Sequence, residues 1–120
     1  MYDLIIIGGG PAGLTAGIYA QRAKLKTLLL EKEFVGGQIA VSDVIENYPG
    51  FPSISGAGLM EKFEEHAKGF GLEIKFAQVE TITLEGNVKV LKTTEGELRA
   101  KAVIVATGAK PRRLGVAGEK

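Results

Sequence analysis

The sequence contains no cysteine and no tryptophan, and it has a single histidine and only four prolines in 120 residues. Without cysteine the chain itself can carry no disulfide, no thiolate metal site and no dithiol redox pair. One histidine leaves little from which to build a zinc site of any other kind. Charge of one sign is also missing. Fifteen Lys and Arg stand against 14 Asp and Glu, so no net field draws the chain to nucleic acid or to anionic lipid. Long apolar runs are absent as well: Leu4–Ile7 and Leu28–Leu30 fall far short of the ~20 residues a membrane span needs. The start, Met1-Tyr2-Asp3, has no basic leader and the apolar run behind it is cut by three glycines, so a cytoplasmic address is expected.

What remains is the composition of an ordinary globular domain, 45% hydrophobic and 24% charged, long enough for one core. Leu4-Ile5-Ile6-Ile7, stopped by glycine, reads as a strand buried on both faces of a parallel sheet. Pro11 at a first helical turn, followed by Leu14, Ile18 and Ala20, predicts a helix from Pro11 to Ala23, with Lys24 to Lys26 as the turn after it. Thr27-Leu28-Leu29-Leu30 is a second buried strand ending at Glu31. It completes a β-α-β unit of about 30 residues with a right-handed crossover.

From Phe34 to Ser55 the periodicity disappears, which predicts a long ordered loop with at most a helical turn between Gly37 and Ser42. Ser55 can cap a helix on which Leu59, Met60, Phe63, Ala67 and Phe70 recur at helical spacing. The stretches 72–76, 79–84, 88–93 and 97–101 alternate or turn, which suggests an antiparallel meander inserted on the parallel sheet. Ala102 to Ala106 reads as one more buried strand. The tail from Lys110 to Lys120 reads as a linker.

Gly8, Gly10 and Gly13 form a G-x-G-x-x-G pattern, a weak signal alone in a chain with 17 glycines. Context strengthens it: the pattern follows a predicted strand, opens a predicted helix and precedes the acidic Glu31 by about 20 residues, as a dinucleotide-binding Rossmann-like fold requires. Gly8 allows the tight turn, Gly10 lets a pyrophosphate reach the backbone, and Gly13 lets the helix pack on the strand. The helix N-terminus then holds the pyrophosphate through its amides and its partial positive charge. Glu31 at the end of strand two can accept both ribose hydroxyls and would repel a 2′-phosphate, favouring FAD or NAD over NADP. The plain alternatives are a structural strand-turn-helix and, for Glu31, a solvated strand end beside Lys32. These residues leave FAD and NAD equally open.

Three motifs in order, Gly8-Gly9-Gly10-Pro11-Ala12-Gly13, then Gly36-Gly37-Gln38 with Glu46-Asn47-Tyr48-Pro49-Gly50, then Ala106-Thr107-Gly108-Ala109, resemble the N-terminal flavin-binding part of the low-molecular-weight thioredoxin reductases. The resemblance covers essentially the whole chain. It implies FAD as cofactor and an α/β fold, with residues 1–109 as the first part of the FAD domain. By the same resemblance Glu31, Lys32, Gly36, Gly37, Gln38 and Ile39 line the adenosine and ribityl side, and Gln38 and Asn47 bond the ribityl chain or isoalloxazine. Val79 then offers its backbone to the adenine, and Ala106, Thr107 and Gly108 close the sheet edge. Without the resemblance, Gly36-Gly37 is a flexible loop, Asn47 a turn former and Ala106-Thr107-Gly108 an ordinary strand exit.

In that family an NADPH-binding domain carrying a C-x-x-C pair follows roughly this point, so residues 110–120 are expected to lead toward a domain absent here, and the FAD domain to be incomplete. The resemblance makes the parent an NADPH-dependent disulfide reductase acting on thioredoxin as a homodimer. It assigns no catalytic residue and no metal to these 120 residues. The alternatives are the same segment of a related ferredoxin–NADP reductase or peroxiredoxin reductase, and a non-catalytic dinucleotide-binding module. Loss of the closing segment predicts exposed apolar surface and self-association. His66, among Glu64, Glu65 and Lys68, reads as solvated, and Lys110, Arg112 and Arg113 as a charged linker.

Overall fold

The computed structural model describes residues 1–108. The expected linker over 110–120 and the expected domain limit at 109 lie outside the described residues. Six strands and three helices follow one another as β1 (Tyr2–Ile7), α1 (Pro11–Arg22), β2 (Thr27–Glu31), α2 (Gly37–Ala40), α3 (Gly56–Gly69), β3 (Glu73–Phe76), β4 (Val79–Glu85), β5 (Val88–Thr93) and β6 (Gly96–Val105). They form one sheet in the order β3-β2-β1-β6-β5-β4.

The alternation of side chains along β1 and β2 divides the core between the two faces of the sheet. Leu4, Ile6 and Leu29 pack with Leu14 and Ala20 of α1, Ala67 of α3 and Leu72. Ile5, Leu28 and Leu30 face the other way, onto Ala77, Leu91 and Ala100. Burial of each such Leu or Ile contributes roughly 1.5–3 kcal/mol. This explains why the two runs are apolar without interruption: both faces are covered. β1 pairs in parallel with β2, from Leu4 against Thr27 to Ile7 against Leu30, as the β-α-β reading requires.

α1 begins at Pro11 and ends at Arg22, with Lys24 in the left-handed region at φ 61°. Ser55 caps α3 as expected, its Oγ accepting from the Gly58 N–H at 3.0 Å. Ser55→Ala should therefore lower stability by about 1 kcal/mol in urea unfolding. A Ser55→Gly variant should lose less.

Three expectations need correction. Residues 73–76 are not part of an antiparallel meander: β3 runs parallel to β2, with Leu28 opposite Glu73 and Glu31 opposite Phe76. The loop and α3 act as a second crossover, and a period-two pattern cannot tell an edge strand of either direction from its neighbours. Residues 97–101 and 102–106 are not two strands but the single ten-residue β6. Its first half pairs antiparallel with β5, up to Ala100 against Lys89, and its second half pairs parallel with β1, from Ala100 against Tyr2 to Val105 against Ile7. The antiparallel part, β4-β5-β6, thus extends the same sheet.

The second half of β6 is also not buried. Ile104 is 40% and Val105 65% exposed. Ile104 shares its face with its register partner Ile6, but α1 lies on β1 and β2, with α3 beside it against α1 and α2. The helical layer covers Ile6 and leaves Ile104 open.

The loop between β2 and α3 contains the expected helical turn, α2, and a clasp that sequence reading missed. Ile45 and Ile54 exchange both backbone hydrogen bonds, at 2.7 and 3.0 Å. Tyr48 stacks edge-on against Phe63 of α3. At the far end of β1, Asp3 accepts from the Lys26 backbone N–H at 2.8 Å and lies 3.4 Å from Lys101 Nζ. That backbone bond, then Lys101, holds its carboxyl below the usual carboxylate range. A depressed folded pKa gives stability that is present above the unfolded value and lost as pH falls through the folded one. Asp3→Asn should therefore destabilise the chain at neutral pH and match the parent in strong acid, by denaturant midpoints at both.

Candidate functional site

The site begins where β1 stops. Gly8 turns the chain at φ 116°, a conformation L side chains rarely adopt, and a Cβ there would collide with the Ala106 carbonyl oxygen. Its N–H donates to the Leu30 carbonyl at 2.8 Å. A Cβ on Gly13 would overlap the Gly8 carbonyl oxygen, so the first turn of α1 rests directly on the turn that precedes it. These are the two roles expected of the first and third glycines.

Gly10 differs from both. It is the N-cap of α1 at φ −83°, and a Cβ on it would find nothing of the chain nearer than 3.9 Å. No packing requires glycine here, since a Cβ would make only ordinary van der Waals contact with Gly36 and Gly37. Among the described residues no side chain caps the helix start, no acidic residue lies in its first turn, and Pro11 has no N–H to offer. The amides and partial positive charge at this end of the 12-residue helix are left for an anion.

Glu31 closes β2 beside the turn. Its Oε1 accepts from the Gly9 N–H at 2.7 Å and its Oε2 from the Glu33 N–H at 2.9 Å. The Gly36 N–H donates to the Gly9 carbonyl at 2.7 Å, tying the start of α2 to the same turn.

Two cavities adjoin along this edge. One of about 140 Å³ is lined by Ile7, Gly8, Leu30, Ala77, Gln78 and Val79 together with Glu31, Lys32 and Thr107. The other, of about 420 Å³, is lined by Gly10, Pro11, Ala12, Gly37, Gln38 and Ile39, with Ala106 and Gly108 and the same Glu31, Lys32 and Thr107. The three shared residues make them one elongated cleft divided at Glu31. It runs along the carboxyl ends of β1, β2 and β6, where the parallel order changes direction, the usual ligand position of an open α/β sheet.

The structure thus brings together nearly all the expected site residues. Gly9, Gly13 and Gly36 stand behind the cleft wall as backbone supports. Asn47 is the exception: it lies in the loop beyond, in a shallow groove lined by Glu46 to Pro52. Ala77, Gln78, Glu33, Phe34 and Val41 line the cleft without having been expected. Gln78 and Ala77 were within reach, since they flank Val79; Phe34 and Val41 carry no motif. A separate groove of about 450 Å³ between α1 and α3 is lined by Tyr19, Tyr48, Phe51, Phe63 and Phe70 among others. It shares no residue with the cleft. His66 is on it, exposed, with its ring 5.5 Å from that of Phe70.

A two-chambered cleft at a sheet switch point, with a glycine turn, an uncapped helix start and a carboxylate between the chambers, defines a dinucleotide-binding α/β domain. The comparisons with known proteins narrow the class. Residues 2–120 match the family model described as pyridine nucleotide-disulphide oxidoreductase, and the chain belongs to that family. It is 48% identical to a thioredoxin reductase of Bacillus subtilis (strain 168) over 120 residues, all of this chain and 38% of that protein. It is 54% identical to a 34.2 kDa protein in the rubredoxin operon of Clostridium pasteurianum, over 98% of this chain and 39% of that one. Among solved structures, thioredoxin reductase from Lactococcus lactis superposes with a TM-score of 0.90 at 43% identity, over 98% of this chain and 39% of the other. The chain therefore spans about two-fifths of the length of these relatives.

Proposed function

We propose that the chain is the FAD-binding portion of a thioredoxin-disulfide reductase, in which electrons pass from NADPH through FAD to a redox-active cysteine pair and on to thioredoxin. The observation that carries the reading is the start of α1: an uncapped helix N-terminus whose Gly10 lines a cleft and has room for a Cβ at ordinary van der Waals distance from Gly36 and Gly37. The names of the relatives put this reading ahead of a ferredoxin–NADP reductase or peroxiredoxin reductase segment, and ahead of a non-catalytic module.

The amides of α1 hold the pyrophosphate. Glu31 accepts the ribose hydroxyls, and the small chamber at Ala77, Gln78 and Val79 takes the adenine. Gly37, Gln38, Ile39 and Thr107 line the path of the ribityl chain. FAD when bound supplies the acceptor of hydride from NADPH and the donor of electrons to a disulfide. Residues 1–109 form the first part of the FAD domain, and 110–120 lead toward an NADPH-binding domain. The chain by itself binds FAD without turnover.

The whole protein is a cytoplasmic homodimer in this reading. Among the described residues no helix is long and apolar enough to cross a membrane. The chain alone leaves Ile104 exposed on the helix-bearing face of β6, and self-association through it should appear as concentration-dependent elution in size-exclusion chromatography. Ile104→Lys should shift that elution to monomer; a variant that elutes like its parent removes the Ile104 face of β6 as the contact.

The proposal is tested by mixing the chain with FAD, desalting, and reading the flavin absorbance that stays with it. Close to one FAD per chain is the expected result. Protein stripped of flavin at this step, with no saturation in a titration, would sink the reading.

A further inference from the structure

We infer that Glu31 is a positioning residue for the glycine-rich turn, fixing its shape before any ligand arrives, in addition to the ribose contact proposed above. The inference rests on the same cleft being the dinucleotide site.

Both carboxylate oxygens of Glu31 are held by backbone: Oε1 by the Gly9 N–H at 2.7 Å and Oε2 by the Glu33 N–H at 2.9 Å. Gly9 is in turn a junction, because its carbonyl accepts from the Gly36 N–H at 2.7 Å. One side chain at the end of β2 therefore ties the glycine turn to the segment that follows β2, and through Gly9 to the start of α2. These three segments form much of the cleft wall, which Ala77 to Val79 and Ala106 to Gly108 complete. A backbone N–H bonded to a charged acceptor is held about twice as strongly as one bonded to a neutral acceptor. The Gly9 N–H is partly buried, so losing that acceptor leaves it without compensation.

The arrangement keeps capacity for ligand. An ionised carboxylate has about four lone-pair positions. Two are taken by the amides, leaving about one on each oxygen, with the oxygens oriented by Gly9 and Glu33. Glutamine is not a neutral replacement. It has one acceptor oxygen, so its amide nitrogen would confront either the Gly9 or the Glu33 N–H, donor against donor. Aspartate keeps the charge but withdraws it by one methylene from a Gly9 bond that is already short.

The test is amide hydrogen exchange, by NMR on the ligand-free chain, with parallel titrations of FAD and of inorganic pyrophosphate. In Glu31→Gln and Glu31→Asp the Gly9 amide should exchange roughly 10-fold faster or more, the cost of one such bond. The Leu29 amide in the middle of β2 should keep its rate, and pyrophosphate should weaken along with FAD. If Glu31 only met the ribose, Gly9 exchange and pyrophosphate affinity would stay at parental values and FAD alone would weaken, overturning the inference. Faster exchange throughout β2, Leu29 included, would equally overturn it by making Glu31 a general stabiliser. Should FAD fail to bind the parent chain while Gly9 exchange still depends on Glu31, the positioning role stands and the cofactor assignment falls.

Discussion

Gly10→Val should abolish FAD retention while leaving the chain folded. A Cβ at this position makes only ordinary van der Waals contact, at 3.9 Å from Gly36 and Gly37, and Gly10 lines the larger chamber, so the branched side chain takes up cleft space. That space is where the proposed pyrophosphate meets the amides of α1. Blocking its approach removes the contacts by which the helix start holds the anion, and a loss of at least roughly 100-fold in affinity, about 2.7 kcal/mol, is expected. Stability should fall by no more than about 1 kcal/mol, the cost of replacing a glycine N-cap with valine. Titration and thermal unfolding on the same preparation separate the two effects. A variant that keeps parental affinity would mean that the cleft at Gly10 is not the phosphate site.

Gly13→Val should do the reverse, failing in stability first. A Cβ on Gly13 overlaps the carbonyl oxygen of Gly8, a backbone atom, and comes within 3.5 Å of Ile6 Cγ2. The Ile6 distance is ordinary van der Waals contact, but the Gly8 carbonyl cannot swing away as a flexible side chain would. α1 must lift from the turn, opening the core around Leu14 and Ile6, both fully buried. A cost of about 3 kcal/mol is expected for overpacking against backbone. In a domain of this size that lowers the unfolding midpoint by roughly 10–20 °C. Gly13→Ala should lose nearly as much, because the first carbon already makes the clash. Calorimetry of both variants decides the point, and a midpoint within a few degrees of the parent would refute the packing role.

The contrast between these two glycines shows what the sequence could reveal and what it could not. Its first 31 residues were legible in detail, because β1, α1 and β2 form a contiguous unit whose strands are buried on both faces and whose helix opens on proline. The motif named the right residues around the turn. It could not separate a glycine required by the protein's own backbone, such as Gly13, from one left bare for a ligand, such as Gly10. That distinction appears only when a Cβ is placed against its neighbours.

The later half was less legible for reasons of topology. β3 joins the parallel part of the sheet beside β2, yet its four residues alternate just as an antiparallel neighbour would. β6 changes pairing partner at Ala100 without a turn residue, so a single strand read as two. Ile104 looked buried because its sequence context matches that of Ile6, but burial depends on where α1 lies. Asn47, singled out by resemblance alone, stands outside the cleft that the other residues line. The two backbone bonds of Glu31 had no sequence signal beyond the acidic residue itself.

The most direct test of the whole account is an NMR titration of the chain with FAD, following backbone amide shifts. Saturable shifts should be largest at Gly8, Gly10, Ala12, Glu31, Val79 and Thr107, with little change at the β4–β5 turn around Gly86. Shifts concentrated instead on Tyr19, Phe63 and Phe70, along the groove between α1 and α3, would contradict it, as would the absence of any saturable change.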